Sequence, residues 1–363
     1  MKKYSNKRMK EITQPEVVLA FRQYVEEHPL RMLCNEAFDD SGNLRVDCMA
    51  KCVNAVNSIN AISRALQSIA YVDEMAYKDM IENKLRAKHK KTYDLHNLIS
   101  ALCELSLMNT FIVRSSNPQS FKYEDKVRVE SNKNIEFSIE MSDYLFHVEV
   151  KSSNLVKEDE IIVKHLSDNP AVLITDARVD NYEEISRTST IPVMGSLDRR
   201  LYDFLKSADE KFASERTEKE INLLVICWDD RIHQPIIALK SEQAQGLLTN
   251  SSFMKDCDGK NVIFDNIDSI LINSDYELMK EFVAGILFHD FTPVYPVDPF
   301  FQLFTANYLI DKDYSLPKVN LIRSIIQNDV VIVDEALIKT LPKMSIATLR
   351  EDGVIKFRRY AHL

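Results

Sequence analysis

Glycine is the scarcest thing in this sequence: six occur in 363 residues, where an average chain of that length would carry about 25. Architectures that turn on glycine at short intervals, such as propellers, sandwiches and collagen-like repeats, are disfavoured by that alone. Long apolar runs are also missing. The stretch Val283 to Phe288 ends at His289, far short of the roughly 18 residues a membrane span requires, so no membrane partner is expected. The six cysteines (Cys34, Cys48, Cys52, Cys103, Cys227 and Cys257) form no C-x-x-C pair. Cys48 and Cys52 stand four apart, and no histidine is spaced to complete a zinc site with them. The basic first residues lead into Glu11 and Pro15 rather than an apolar signal core, and the expectation is a reduced, cytoplasmic chain. No G-x-x-x-x-G-K-[ST], G-x-G-x-x-G or G-x-S-x-G occurs, so nothing announces a nucleotide motor, a dinucleotide fold or a hydrolase elbow. Positive charge is in deficit too: 46 Lys and Arg against 55 Asp and Glu give a net charge of -9. A protein that coats nucleic acid by bulk electrostatics is thereby excluded, a local basic site is not.

What is present is an α/β pattern with helices first. Pro15 followed by Glu16 to Val25 reads as a helix start, and Val46 to Lys91, without Pro or Gly, carries apolar residues at intervals of three or four, the signature of one or two long amphipathic helices. The run Lys84 to Lys91 reads as a solvated helix end, with Lys88, Lys90 and Lys91 as candidate phosphate contacts. A helix over about Asp94 to Met108 is expected to lead into a strand at Thr110 to Arg114. Two period-2 segments, Asn134 to Met141 and Tyr144 to Lys151, are separated only by Ser142-Asp143 and predict a two-residue hairpin. Beyond them come strand-like Ala171 to Thr175, an amphipathic helix from about Ser196 to Glu215, and strands at Ile221 to Trp228, Pro235 to Leu239, Val262 to Phe264 and Val330 to Val333. The boundaries this suggests are a helical N-terminal region over 1–92, a core over 93–240 with an insertion at about 152–195, and a C-terminal α/β accessory region over 241–363.

The hairpin carries the chemistry. Strand alternation puts His147, Glu149 and Lys151 on one face and Phe146, Val148 and Val150 on the other; on the preceding strand Glu136, Ser138 and Glu140 share the polar face. Where the two polar faces coincide, carboxylates converge with an ammonium. Two carboxylates can hold Mg²⁺ through hard oxygen ligands, and a neighbouring lysine can orient water or stabilise charge growing on a phosphate. Read plainly, the same residues could instead be the solvated face of an antiparallel sheet with ordinary cross-strand pairs. His147 could touch a phosphate or serve structure alone.

Glu136 in Ile135-Glu136-Phe137-Ser138-Ile139, with Glu149-Val150-Lys151 after it, resembles the PD-(D/E)XK nuclease superfamily over roughly Asp94 to Leu239. The resemblance implies a restriction-endonuclease-like αβββαβ core within the α/β class and metal-dependent cleavage of phosphodiester bonds, in DNA rather than RNA. It implies Glu136 and Glu149 as ligands to Mg²⁺ (or Mn²⁺), and Lys151 beside the attacking water. Many members carry a further acid on the first helix; Glu104 is the acid there, an auxiliary candidate together with His147. Stand-alone members act in restriction and anti-phage defence. With no motor motif in the chain, a partner protein could supply targeting, and two-strand cleavage would suit a homodimer. The alternative expectation is a non-catalytic interaction or assembly subunit with a degenerate core.

Overall fold

The computed structural model describes residues 61–62, 64–85, 88–89, 92–93, 95–128, 130–153, 173–175, 193–195, 197–229, 231–287, 307–313, 315–326, 330–341, 345–349 and 355–359. The helix expected after Pro15, the first part of the Val46 run, the cluster Lys2 to Lys10, and Lys90 and Lys91 lie outside them.

The chain forms two units, one of residues 1–110 with 278–302 and one of 111–277 with 303–363. In the first, residues 64–72 are helical and Asp73 interrupts the helix. Its side chain accepts from the Ala76 N–H at 2.9 Å, capping a new helix α1 (Glu74–Asp79) that widens into a π-turn at Met80–Lys84. The one or two long helices expected over Val46 to Lys91 are thus interrupted at Asp73 and give way before Lys91 to a short antiparallel pair, β1 (Lys88–His89) with β2 (Thr92–Tyr93). Helix α2 (Leu95–Arg114) follows. The strand expected at Thr110 to Arg114 is its last turn. Between Leu98 and Ile112 only Ser100 and Glu104 are not buried, so burial on nearly every side erased the helical period and left β-branched composition as the only, misleading, signal.

The second unit is built on a mixed sheet of seven strands. β3 (Lys122–Tyr123), β4 (Phe137–Met141) and β5 (Tyr144–Ser152) form an antiparallel meander. The Met141↔Tyr144 pairing leaves Ser142-Asp143 as the expected two-residue turn, with Ser142 at φ 55°. In the expected insertion, β6 (Leu173–Thr175) and β7 (Val193–Gly195) are parallel to each other. Helix α3 (Leu197–Lys211) then leads to β8 (Glu220–Cys227), parallel to β5.

The segment Pro235 to Leu239, expected as a strand, lies in helix α4 (His233–Lys240). All five residues are buried, and a short, continuously apolar run does not distinguish a core strand from a core helix. Pro235 is the third residue of that helix, where its missing N–H costs no intrahelical bond. Val262 to Phe264 is irregular; the strand is β9 (Ser269–Asn273). It is followed by α5 (Asp275–Leu287), β10 (Asn307–Asp311), α6 (Leu316–Ile326), β11 (Val330–Ile332), α7 (Glu335–Thr340), β12 (Ser345–Leu349) and β13 (Ile355–Arg359).

The large sheet has the order β11-β10-β9-β8-β5-β4-β3, and β13-β12-β6-β7 make a second sheet of four. Strands from the expected accessory region therefore extend the same sheet as the hairpin. One face of that sheet, with Phe137 and Phe146, packs edge-on against Phe111 at 5.4 and 5.6 Å. The opposite face, with Leu224, Ile226, Ile270 and Ile272, is covered by Leu201, Leu205 and Ala208 of α3, by Phe212 just after it, and by residues of α4. Both faces are buried, which turns β5 from a half-solvated strand into a central one. Of the scarce glycines, Gly246 is structurally required: a Cβ there would come within 2.7 Å of the Leu239 carbonyl oxygen. No helix among the described residues is long and apolar enough to cross a membrane.

Candidate functional site

Strand β5 sits between β4 and β8, and its registers fix what can meet. Ser138 lies opposite His147 and Phe137 opposite Val148, so continuing the ladder by one residue sets Glu136 across from Glu149. Directly opposed residues on one face have Cβ atoms about 5 Å apart. On the other side Glu149 and Lys151 are in register with Leu224 and Ile226, members of the apolar core under α3. The two polar faces of the hairpin do coincide, but α3 lies over part of them. Glu149 is 0% exposed, while Glu136, one residue before β4, is half-buried.

The Glu149 carboxylate is held by one oxygen only. Lys151 Nζ lies 2.7 Å and Lys211 Nζ 2.6 Å from Oε1, and Lys211 donates a hydrogen bond there. Oε2 is buried and has no hydrogen-bond partner. Burial pushes the Glu149 pKa above its ordinary 4.5; Lys151 opposes the rise, Glu136 adds to it and Lys211 opposes it. A carboxylate with an orphaned buried oxygen and a second carboxylate near enough to raise its pKa could take one more positive group.

His147 shares this face, is 5% exposed, and holds Ser138 Oγ at 2.8 Å through Nδ1. Burial pulls its pKa below 6.5, so the ring is neutral and tied to a hydroxyl. Glu140 belongs to the other end of the hairpin, exposed and accepting from Asn117 Nδ2 at 2.7 Å. Glu104, in the first unit, pairs with Lys84 at 2.6 Å. Lys88 is placed in β1. Asp229, after β8, is gripped by Arg231 Nε at 2.8 Å. Two further orphans, Ser153 Oγ and Trp228 Nε1, are buried just beyond the ends of β5 and β8. A cavity of about 360 Å³ on the same sheet, lined by Leu205, Phe264, Ile270, Ile310 and Lys312, includes none of Glu136, Glu149 and Lys151.

Lys211 is the residue that sequence reasoning missed. It closes α3 three positions after Ala208, beside the stripe of Leu201, Leu205, Ala208 and Phe212. The stripe is legible, but which sheet residue its flank meets depends on how the helix lies across the sheet. No family model, curated protein or solved structure matches the chain.

Among the described residues no group of three or more His, Cys, Asp or Glu is assembled for a metal. Glu149, with its unpartnered Oε2, and Glu136, which acts on its pKa, offer oxygen donors of the hard kind that Mg²⁺ takes, and two carboxylates are too few to enclose zinc.

Proposed function

We propose that this protein is a metal-dependent nuclease that hydrolyses phosphodiester bonds, in DNA rather than RNA, with restriction or anti-phage defence as its setting. The observation that carries the reading is Glu149 Oε2, a buried carboxylate oxygen without a hydrogen-bond partner, on the face that also bears Lys151 and is flanked by Glu136. The order of elements supports it: helix α2, the antiparallel meander β3-β4-β5, helix α3 and the parallel strand β8 follow the αβββαβ sequence of a restriction-endonuclease-like core, with Glu136 beside the second strand and Glu149 and Lys151 on the third.

Glu149 and Glu136 would hold Mg²⁺, or Mn²⁺ in its place, and the ion would polarise the scissile phosphate and acidify a bound water. The chain's own groups do the rest. Lys151, 21% exposed at the side chain, can reach a water or a phosphate oxygen and stabilise negative charge as it develops there. The apolar cover over Glu149 lowers the local dielectric and strengthens each of these attractions. A partner protein that delivers the substrate, and a homodimer for two-strand cuts, complete the proposal.

The competing reading is a non-catalytic assembly subunit, favoured by the two lysines that already neutralise Glu149. One assay separates them. Purified protein is incubated with single- and double-stranded DNA and RNA, with Mg²⁺, Mn²⁺ or EDTA, beside Lys151→Ala and Glu149→Ala. Metal-dependent cleavage that both substitutions remove is expected. Absence of cleavage with every substrate and metal, or equal cleavage by folded variants, overturns the nuclease reading.

A further inference from the structure

Lys211 has no place in the residues assigned above, yet it makes the shortest cation contact to Glu149, 2.6 Å against 2.7 Å for Lys151. The inference about it rests on the nuclease reading. Helix C-termini favour cations, so a lysine at the end of α3 needs no carboxylate to be tolerated there. Its side chain is 15% exposed, so the ammonium lies at the border of solvent and can turn outward, whereas Glu149 is sealed.

Formal charge shows what the second lysine changes. Glu136 and Glu149 carry two negative charges, and Lys151 and Lys211 carry two positive ones, so the four groups are balanced among themselves. A dication added alone would leave the cluster at plus two in a poorly solvated place. A phosphodiester and a hydroxide bring two negative charges and restore the balance. With Lys151 as the only ammonium, the same carboxylates would have a charge left over for a metal before any substrate arrives.

We propose that Lys211 couples metal binding to substrate binding: its ammonium competes with the divalent cation for Glu149 and transfers to a non-bridging phosphate oxygen of the nucleic acid when the two enter together. The lysines hold Oε1 and Oε2 has no partner, so the competition is for the charge of the carboxylate rather than for one oxygen atom. A nuclease built this way holds its metal weakly until a backbone phosphate is present.

The test measures Mn²⁺ binding by electron paramagnetic resonance on the full chain, with and without a phosphorothioate oligonucleotide that resists cleavage, for the wild type, Lys211→Met and Lys211→Arg, with Glu149→Gln as the control for the site. Wild-type affinity for Mn²⁺ should rise about tenfold or more with the oligonucleotide. Lys211→Met should bind Mn²⁺ alone about tenfold more tightly than wild type, gain little from the oligonucleotide, and cleave at least tenfold more slowly; Lys211→Arg, whose fork can hold both carboxylate oxygens, should bind Mn²⁺ weakly with and without the oligonucleotide. Circular dichroism establishes that each variant is folded, and Lys211→Gln replaces Lys211→Met if the latter is not. Unchanged or weaker Mn²⁺ binding by folded Lys211→Met or Lys211→Gln overturns the role of Lys211 while wild-type cleavage leaves the nuclease reading standing. Absence of both cleavage and Glu149-dependent Mn²⁺ binding in the wild type overturns that reading itself.

Discussion

Two buried carboxylates on this sheet are met by cations in opposite ways. Asp268, just before β9, receives Arg216 on both oxygens, Nη2 at 2.6 Å from Oδ1 and Nε at 3.0 Å from Oδ2, and Oδ2 also accepts the Asn222 N–H at 2.9 Å. Every lone-pair direction that matters is filled. Glu149, more deeply buried, has two ammonium groups crowded on Oε1 and nothing on Oε2. A guanidinium fork locks a carboxylate because its geometry matches both oxygens, whereas an ammonium is a point charge that can leave one and find another partner. The first arrangement holds loop to strand. The second keeps a charge in the core with one of its two oxygens unpartnered, the feature on which the proposed metal site rests.

The largest expected effect on stability tests the structural member of the comparison. Arg216→Met strands a buried carboxylate and should cost about 3 to 5 kcal/mol, the range for breaking a buried pair from one side. Urea unfolding monitored at Trp228 measures it. Cleavage per folded molecule should be unchanged, and a loss below about 1 kcal/mol would erase the distinction drawn between the two carboxylates.

Glu149→Gln probes the other member and should change stability by only about 1 kcal/mol, in either direction, because it removes a desolvated charge while its amide oxygen can still accept from the lysines. Cleavage should nevertheless be lost. A destabilisation as large as that of Arg216→Met would mean that Glu149 is a structural anchor too.

The difference also has a pH signature. Burial raises the folded-state pKa of Glu149 above 4.5, so between 4.5 and that raised value the native state binds more protons than the unfolded one. The stability this confers is complete below 4.5 and is lost as pH rises through the raised value. Thermal melts should therefore show the wild type losing ground to Glu149→Gln as pH increases through that window and then running parallel to it. His147, whose pKa is lowered, acts at the acid side of 6.5 and is common to both proteins, so their difference isolates Glu149. A difference that grows in the opposite direction would show that the lysines outweigh burial.

How much of this could be read beforehand follows from which forces are local. The hairpin was legible because alternation and a two-residue turn are both encoded within Asn134 to Lys151, and with it the common face of Glu136, His147, Glu149 and Lys151. Burial of that face was not, because it depends on α3 crossing from outside the hairpin. The same reason hid Lys211, and it hid the helical state of Phe111 and of Ile236, whose surroundings rather than whose neighbours decide their conformation. Ser269 to Asn273 was overlooked as a strand because polar residues bracket three apolar ones. Asn273 is nonetheless buried, its side chain donating to Asp275 at 2.8 Å, so polarity there marks a satisfied strand end.

The smallest effect is expected at Ser153, and it decides whether orphaned polar atoms near this site are alike. Ser153 and Trp228 follow one another in register, continuing the pairs Lys151↔Ile226 and Ser152↔Cys227, and Ser153 Oγ is buried with no hydrogen-bond partner. Removing a hydroxyl that bonds to nothing forfeits no hydrogen bond and relieves a desolvation penalty, so Ser153→Ala should be neutral or stabilising by up to about 1 kcal/mol. Glu149 Oε2 is orphaned in the same sense but belongs to a carboxylate whose pKa Glu136 raises, so its removal should abolish cleavage where loss of Ser153 Oγ should not. If Ser153→Ala instead lowers cleavage with stability intact, the polar row extends beyond Lys151, and Ser153 joins the groups that meet the substrate.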